Sequence, residues 1–442
     1  MKILLVGAGG VGNAIAKIAA TRNFYEQIVV SDYTQSRADE VIEWIRVRHG
    51  DEIASKFVSA KVDAGNAANV TELCREHGIT HVLNAVEPKF VPTVFSGAFS
   101  ANVHYLDMAM SLSEAHPDDP FHKPGIKLGD QQFALAEQWE RAGLLALVGI
   151  GVEPGLSNVF ARYAQDHLFS EIDEVSVKDG GNLVVRNEAG EEIFAPSFSI
   201  WTTIEECLNP PVLWSKDKGY YTTKPFSEPE IFEFPEGIGA VECVNVEHEE
   251  VTMLPAVINA NKFSFKYGLG NEFIGILKTL HALGLDQTKP HRVRSNQGPV
   301  DVSPRDMVAA VLPDPATIGP RMTGKTCAGV LVTGKDHDGK LRATYLYHVA
   351  DNETTMRDWG SQAVLWQTAI CPVVAIELLA SGGWVGTGVR GAEAFDAARY
   401  LNLLGEYGSH HGILEMGPGL WPSPKSTGQP GWDRPVKRAI KP

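Results

Sequence analysis

A glycine pattern near the start of the chain constrains the fold most strongly. The apolar run Ile3–Val6 is followed by Gly7-Ala8-Gly9-Gly10-Val11-Gly12, and a helical pattern over 13–22 comes next. A short run that is apolar throughout is typical of a strand buried on both faces of a parallel sheet. The next predicted strand, 28–32, ends on an acidic residue, Asp32. A strand, a glycine turn, a helix and a second strand ending in an acid together predict a dinucleotide-binding unit.

Three glycines of this pattern have separate physical tasks. Gly7 permits the tight turn, Gly9 lets the backbone approach a pyrophosphate, and Gly12 allows helix and strand to pack closely. The pyrophosphate would lie at the helix N-terminus, where backbone N–H groups lack partners. Asp32 can accept hydrogen bonds from the adenosine ribose hydroxyls and repels a 2′-phosphate, so we predict NAD as the cofactor. Arg37 could pair with a 2′-phosphate, so NADP stays open.

Strand and helix patterns continue to alternate up to about residue 150. The further predicted strands are 57–62, 81–86, 103–106 and 144–150. This alternation predicts an α/β domain with a doubly wound parallel sheet, that is, a Rossmann domain. Ligands bind such a sheet at the carboxyl ends of its strands. The predicted cofactor-binding residues are therefore Gly7, Gly9, Gly10, Val11, Gly12, Asp32, Arg37, Asp63, Ala64, Asn84, Ala85 and Val86.

The pattern changes from about residue 172. Short β-like runs separated by turn residues predict a second, α+β domain with a mixed or antiparallel sheet. We place the dinucleotide-binding domain at 1–155, completed by helices from 360–415, and the second domain at 156–355. Residues 417–442, rich in Gly, Pro and Lys, are predicted to form a tail. The apolar stretch 363–380 contains Gln, Pro and Glu, which predicts a buried helix rather than a membrane span.

Composition excludes some classes of partner. The chain has 39 Lys and Arg against 54 Asp and Glu, a formal net charge of −15. This balance argues against a nucleic acid or an anionic membrane as partner, because both need positive patches. The five cysteines form no CxxC pair, so we expect reduced thiols, a cytoplasmic location and no zinc site.

Two segments contain candidates for proton transfer, Glu153 and His248. Glu153 follows the sixth predicted strand, next to Pro154 and Gly155, which is typical of a carboxylate presented to a cleft. A solvated turn residue is the other interpretation. His248 lies within Glu247–Glu250, where carboxylates could tune it for proton transfer near neutral pH. A histidine packed in the core is the alternative, and without a second histidine nearby we predict no metal site.

With these motifs the sequence resembles the saccharopine dehydrogenase family. That family includes saccharopine dehydrogenases and reductases, carboxynorspermidine dehydrogenase and lysine 6-dehydrogenase. The resemblance covers nearly the whole chain, from Gly7 to about Glu415. Beyond the glycine pattern it rests on Asn84-Ala85, His104–Asp107, Gly151–Asn158, Phe234–Gly239, His248–Glu250, Leu312–Pro320, Gly324–Gly329 and Gly360–Ala363. The last four segments resemble the carboxynorspermidine branch most closely.

The resemblance implies a substrate cleft between the two domains and a C-terminal domain that also mediates dimerisation. It further implies an NAD(P)-dependent dehydrogenase acting on the CH–NH bond of an amino-acid or polyamine derivative. Either an amine is oxidised to an imine that water hydrolyses, or the reverse reductive condensation occurs. Family members usually carry Asp where this chain has Glu153, and NADP-using members place Ser or Arg where it has Asp32. Saccharopine reductases carry an Arg-containing segment where His248 falls.

Roles for individual side chains follow from this reaction. The predicted catalytic residues, which transfer protons or bind the amine, are Glu153, His248 and Asp107. The predicted substrate-binding residues are Glu249, Lys266 and Asn158. The amine stays open among saccharopine, carboxynorspermidine, lysine and an opine-like metabolite. Two other classes also stay open: a methyltransferase, whose nucleotide-binding turn is glycine-rich too, and a non-catalytic protein that senses a dinucleotide.

Overall fold

The structure is a computed structural model that describes residues 1–416, so the predicted tail at 417–442 lies outside the described residues. The first part of the chain alternates strands and helices. Its elements are β1 (Lys2–Val6), α1 (Gly10–Ala19), β2 (Gln27–Asp32), α2 (Gln35–His49), α3 (Asp51–Ala54), β3 (Phe57–Lys61), α4 (Ala67–Glu76), β4 (His81–Asn84), α5 (Val91–Ala101), β5 (His104–Asp107), α6 (Asp130–Phe133), α7 (Ala136–Arg141) and β6 (Leu145–Leu147).

The rest of the described chain is richer in strands. Its elements are α8 (Leu156–His167), β7 (Glu171–Gly181), β8 (Val184–Val185), α9 (Ile200–Leu208), β9 (Val212–Ser215), β10 (Gly219–Thr222), β11 (Glu230–Phe234), β12 (Gly239–Asn245), α10 (Glu250–Met253), β13 (Ala260–Tyr267), α11 (Asn271–Leu283), β14 (His291–Val293), β15 (Val300–Val302), α12 (Pro304–Val311), β16 (Met322–Thr323), β17 (Lys325–Lys335), β18 (Leu341–Asp351), α13 (Asn352–Trp359), α14 (Ala363–Ala380), β19 (Gly388–Arg390), α15 (Ala397–Glu406) and β20 (His411–Glu415). Short 3₁₀ helices lie at Pro88–Phe90, Leu254–Ala256, Gly319–Arg321 and Ala392–Ala394.

The first sheet confirms the predicted doubly wound parallel fold. Its seven strands run in the order β19-β6-β5-β4-β1-β2-β3, and every neighbouring pair is parallel. Ile3 and Leu5 of β1 pack in one hydrophobic cluster and Leu4 and Val6 in another. Because successive side chains of a strand point to opposite faces, β1 is buried on both sides, which explains its unbroken apolar run.

Two details of the first sheet differ from the sequence prediction. The sequence of residues 131–142 has a helical pattern but forms two short helices, α6 and α7, and the predicted strand 144–150 is only the three residues of β6. The edge strand β19 comes from the far end of the chain and pairs with β6. Three residues are too few to carry a periodic pattern, so the sequence contained no signal for β19.

The second sheet is mixed, as an α+β domain requires. It has nine strands, of which β10-β9-β13-β7-β17-β18-β20 form a continuous path, while β12 pairs with β13 and β11. The pair β13–β7 is parallel, and the other pairs are antiparallel. The last strand, β20, belongs to this sheet, so the segment 360–415 contributes helices and β19 to the first domain and β20 to the second.

The long apolar helix α14 packs in the core against α1 and α15. Among the described residues it is the one helix that is long and apolar enough to cross a membrane, but 78% of its 18 residues are buried inside the structure. A helix that is apolar all round is expected wherever other elements surround it. Its hydropathy is therefore accounted for by packing, as the sequence predicts.

Candidate active site

The glycine turn between β1 and α1 has no room for side chains at two positions. A Cβ atom on Gly12 would lie 1.8 Å from the carbonyl oxygen of Gly7, and Gly7 itself has a φ of +101°. A Cβ atom on Gly9, in contrast, would meet nothing within 4 Å, because that residue faces an open cavity. Gly12 thus lets the helix approach the strand, while Gly9 exposes backbone at the N-terminus of α1.

A cavity of about 640 Å³ extends from this turn between the two domains. The first domain contributes the carboxyl ends of its parallel strands, and the second domain contributes residues of α9 and the segment 309–316. Of the predicted cofactor residues, those that line the cavity are Gly7, Gly9, Gly10, Val11, Asp32, Arg37, Asn84, Ala85 and Val86. An exposed helix N-terminus beside a glycine turn, with an acid at the end of β2, fits a dinucleotide.

Asp32 is held in place by two backbone groups. Its Oδ2 accepts the Ala8 N–H at 2.8 Å, and its Oδ1 accepts the Thr34 N–H at 2.8 Å. An ionised carboxylate has about four lone-pair positions, so both oxygens keep capacity for the ribose hydroxyls. The side chain is therefore oriented before a dinucleotide binds.

Asp63 and Ala64 are not among the residues that line the cavity. The Asp63 carboxylate accepts the Gly65 N–H at 2.9 Å, and the Asp63 N–H donates to Asn69 at 2.8 Å. These bonds shape the turn before α4, which is a local structural task. A contact of this pair with the adenine stays a prediction.

The inner end of the cavity is acidic. Asp107, Glu153, Glu206 and Glu249 all line it. Burial raises the pKa of Asp107 to about 7 and that of Glu206 to about 8, and proximity to Glu249 adds to both shifts. Burial also raises the pKa of Glu153 well above its usual range. These carboxyl groups therefore take up protons near neutral pH unless a cation stabilises their ionised forms.

Glu153 lies in a tight turn after β6. The Gly151 N–H donates to the Pro154 carbonyl at 2.6 Å and closes this turn around Glu153. Although the residue as a whole is only half-buried, its Oε1 atom is enclosed and has no hydrogen-bond partner. The same carboxyl group is close to the half-buried Asp179 at the end of β7, whose pKa is raised to about 6 by loss of contact with water. Two adjacent carboxyl groups shielded from water favour sharing one proton.

Both carboxylate oxygens of Asp107 accept hydrogen bonds from within the protein. Its Oδ1 accepts the Gly149 N–H at 2.7 Å, and its Oδ2 accepts the Gln132 amide at 2.8 Å. The side chain thus joins the end of β5 to the loop after β6. Asp107 faces the cavity, but these bonds restrain it from moving toward a substrate.

His248 lies behind the cavity wall and is not one of its lining residues. Its ring stacks on Phe265 at 3.9 Å, its Nδ1 is 2.5 Å from Glu250 Oε2, and Glu249 Oε2 is 3.4 Å away. Burial lowers the pKa of His248, but the attraction of Glu250 and Glu249 outweighs burial and raises it to about 10. The positive charge of the imidazolium therefore stabilises the ionised carboxylate of Glu249, which does line the cavity.

The surroundings of His248 also bear on metal binding. The ligand-type atoms of His248, Glu249 and Glu250 lie within 4.8 Å of one another. A cation could therefore be held there by distance alone. The imidazolium already supplies a positive charge between the two carboxylates, and Ser157 donates to the other Glu250 oxygen at 2.7 Å.

Two predicted substrate-binding residues lie outside the cavity lining. The Lys266 ammonium donates to Glu230 and to the Glu228 carbonyl, each at 2.7 Å, within the core of the second sheet. Asn158 accepts the Gly155 N–H at 3.0 Å and donates to Glu393 at 2.9 Å, so it caps α8. Their polar groups are satisfied inside the protein, and a substrate would have to displace these bonds to reach them.

Sequence reasoning missed Glu206 as a cavity residue. The helix α9 begins after Ser199, whose hydroxyl accepts the Thr202 N–H at 3.4 Å, and it buries Ile204 and Cys207. Glu206 follows Glu205 in an otherwise uncharged helix. An acid at that position is the signal that could have been noticed, because a helix buried on one face places its charges on the other.

The fold and this site define an NAD(P)-dependent dehydrogenase. The chain belongs to the saccharopine dehydrogenase family: residues 3–147 match the saccharopine dehydrogenase NADP binding domain, and residues 151–413 match the saccharopine dehydrogenase C-terminal domain. It is accordingly an oxidoreductase of amine or imine substrates.

Similar proteins extend over nearly the full chain. Carboxynorspermidine synthase of Vibrio alginolyticus is 30% identical, with 95% of this chain and 98% of that protein covered. Carboxyaminopropylagmatine dehydrogenase of a Synechocystis species is 25% identical, with 92% and 96% covered. The apo structure of saccharopine dehydrogenase (L-Glu forming) from Saccharomyces cerevisiae has a TM-score of 0.64 at 12% identity and covers 94% of this chain and all of that one. This last likeness concerns the fold.

Proposed function

We propose that this enzyme acts on a polyamine derivative, a secondary amine whose carbon–nitrogen bond joins an amino-acid portion to a chain bearing a further cationic group. One observation carries the proposal: the inner end of the cavity is lined by Asp107, Glu153, Glu206 and Glu249. Among the described residues that line the cavity, Arg37 is the one cationic side chain, and its ion-pair partner is Asp314 of the second domain. Buried carboxylates need cations to remain ionised, and a polyamine supplies them.

The names of two relatives support this choice. A carboxynorspermidine synthase and a carboxyaminopropylagmatine dehydrogenase both handle polyamine derivatives by name, and both align with more than nine-tenths of this chain. Saccharopine fits the acidic lining less well, because its carboxylates offset the positive charges of its primary and secondary amines.

Three of these four carboxyl groups would act on the substrate. Glu249, supported by the His248 imidazolium, and Glu206 would hold the distal ammonium group of the substrate. Glu153 would exchange a proton with the reacting nitrogen through its unpartnered Oε1. In the oxidative direction the C–H carbon loses a hydride and the nitrogen a proton, water adds to the imine, and the carbinolamine separates into a carbonyl compound and an amine. A bound nicotinamide supplies the hydride acceptor, or the donor in the reverse condensation.

Three further properties complete the proposal. Asp32 favours NAD over NADP, because its carboxylate faces the place of a 2′-phosphate. We place the enzyme in the cytoplasm, since its five cysteines are free and buried. We infer a homodimer formed through the second domain, as the family resemblance implies.

The test is absorbance at the reduced-nicotinamide band with purified protein. NAD and NADP are each offered with carboxynorspermidine, carboxyaminopropylagmatine, saccharopine and lysine. We expect reduction with NAD and one of the two polyamine derivatives. Turnover of saccharopine or lysine alone would contradict the proposed substrate class, and dinucleotide binding without turnover of any amine would favour a sensing protein.

A further inference from the structure

We propose that Asp314, a residue of the second domain, determines cofactor specificity by engaging Arg37 and denying that guanidinium to a 2′-phosphate. The inference rests on the proposed preference for NAD and extends it from Asp32 to a residue on the opposite wall of the cavity. Asp32, Arg37 and Asp314 all line the same cavity.

The pair spans the gap between the two domains. Arg37 lies in the first turn of α2, directly after β2, and its Nη2 atom is 4.0 Å from Asp314 Oδ2. Both side chains are 52% exposed, so they meet at the mouth of the cavity rather than in the core. Arg37 is the residue placed to neutralise a phosphate on the adenosine ribose, and Asp314 lies within reach of that guanidinium.

Asp314 is held in position by its own loop. Its Oδ1 accepts the Ala316 N–H at 2.9 Å, and its carbonyl accepts the Thr317 N–H at 2.9 Å. Pro313 and Pro315 on either side restrict the backbone further. With Oδ1 used inside the loop, Oδ2 is the oxygen directed at Arg37.

The charges at this end of the cavity oppose a phosphate. Asp32 and Asp314 each contribute a negative charge, and Arg37 a positive one, so the local sum is −1. A 2′-phosphate adds a charge of about −1.5 to −2 at neutral pH. It would have to take Arg37 from Asp314 and approach two carboxylates, whereas the neutral 2′-hydroxyl of NAD has neither cost. A half-exposed pair contributes modestly, so we expect an effect of about three- to fivefold.

A second ion pair supplies a matched control. Lys89 of the first domain is 3.4 Å from Asp306 of α12, and Asp306 is also 52% exposed. This pair bridges the same two domains, but neither residue lines the cavity. D306N therefore removes one acidic charge and one bridge between the domains, and Lys89 keeps its ion pair with Glu87 at 2.9 Å, so the residues that line the cavity are unchanged.

The experiment measures dissociation constants of NADH and NADPH by nicotinamide fluorescence, with no amine present. The proteins are the wild type, D314N, R37A, the R37A/D314N double variant and D306N. We expect D314N to tighten NADPH binding about three- to fivefold while NADH changes less than about twofold. The gain should vanish in the R37A background, and D306N should not change the ratio of the two constants.

Several outcomes would overturn the proposal. Equal effects of D314N on both dinucleotides, a gain that persists without Arg37, or the same gain in D306N would each do so. Tighter binding of NADPH than NADH by the wild type would contradict the NAD preference under the proposed function, while the D314N ratio would still decide the role of Asp314. Because no amine is used, the result is independent of the proposed substrate class.

Discussion

The dinucleotide end of the cavity depends on the backbone of one short segment, residues 7–12. The acidic end, in contrast, assembles side chains from β5, the turn after β6, α9 and the segment before α10. The first end depends on the absence of side chains, and the second on carboxyl groups brought together from distant parts of the chain. A local site of this kind tolerates almost no substitution. A dispersed one allows each carboxyl group to be tested separately, which orders the predictions below from the largest effect to the smallest.

Gly12→Ala should have the largest effect. The added Cβ would lie 1.8 Å from the Gly7 carbonyl, so α1 must move away from β1 and the turn must open. We expect dinucleotide affinity to fall by more than about a hundredfold, with a loss of about 1–3 kcal/mol in the free energy of unfolding. NADH fluorescence titration and thermal unfolding measure both quantities. Gly9→Ala is the control: with nothing within 4 Å of its Cβ it should keep wild-type stability and weaken only binding.

Glu153→Gln should lower turnover without changing dinucleotide binding, which would show that the two ends of the cavity have different functions. Removal of the exchangeable proton should lower kcat by about a hundredfold or more, since general acid–base groups contribute about 10²–10⁴. The dissociation constant of NADH should change less than about twofold, because Glu153 is remote from the glycine turn. Steady-state kinetics and fluorescence titration give the two numbers. Unaltered turnover would remove Glu153 from the mechanism, and partial rescue by Glu153→Asp would support it.

Glu206→Gln should weaken the polyamine specifically. Loss of one carboxylate from the inner end should raise KM for the polyamine substrate about tenfold, the magnitude of a charge-assisted hydrogen bond. kcat should fall by less than about threefold. Glu40→Gln, on the exposed surface of α2, is the matched control and should leave both constants unchanged. A fall in kcat as large as the rise in KM would instead place Glu206 in the chemical step.

Glu206→Gln should also change how the free energy of unfolding depends on pH. Burial raises the folded-state pKa of Glu206 to about 8, above its value of about 4.3 in an unfolded chain. The folded state therefore binds more protons, and the stabilisation from this group is lost as the pH rises from about 5 to about 8. Glu206→Gln cannot ionise, so we expect it to gain stability over the wild type between these pH values, by at most about 4 kcal/mol, the linkage of one proton over three pH units. Chemical denaturation at both pH values checks this, and parallel curves for the two proteins would contradict it.

Much of the fold could be read from periodicity, because each early strand and helix is long enough to show its pattern. The apolar run of β1, the glycines and Asp32 lie close together in the chain, so most of the residues that line this end of the cavity could be named from the sequence. The edge strand β19 and the contribution of β20 to the second sheet were not predictable, since they depend on pairing with β6 and β18, far away in the sequence.

The acidic end shows the same limit for side chains. Glu153 and Glu249 were found because one follows a predicted strand in a Pro-Gly turn and the other belongs to an acidic run. Glu206 was missed because its one signal, an acid in a largely uncharged helix, does not say which cavity that helix faces. Lys266 and Asn158 were predicted to bind substrate, yet the structure shows them bonded inside the protein.

By itself the sequence determined that the chain forms a parallel-sheet dinucleotide domain followed by a mixed-sheet domain, and that it resembles the saccharopine dehydrogenases. Those properties depend on local spacing and on the conformational demands of glycine, which neighbouring residues reveal. Only the tertiary structure decided which carboxyl groups meet in one cavity, that His248 stands behind Glu249, and that Asp314 reaches Arg37 from the other domain. Burial and charge proximity belong to atoms distant along the chain, and they exist only once it has folded.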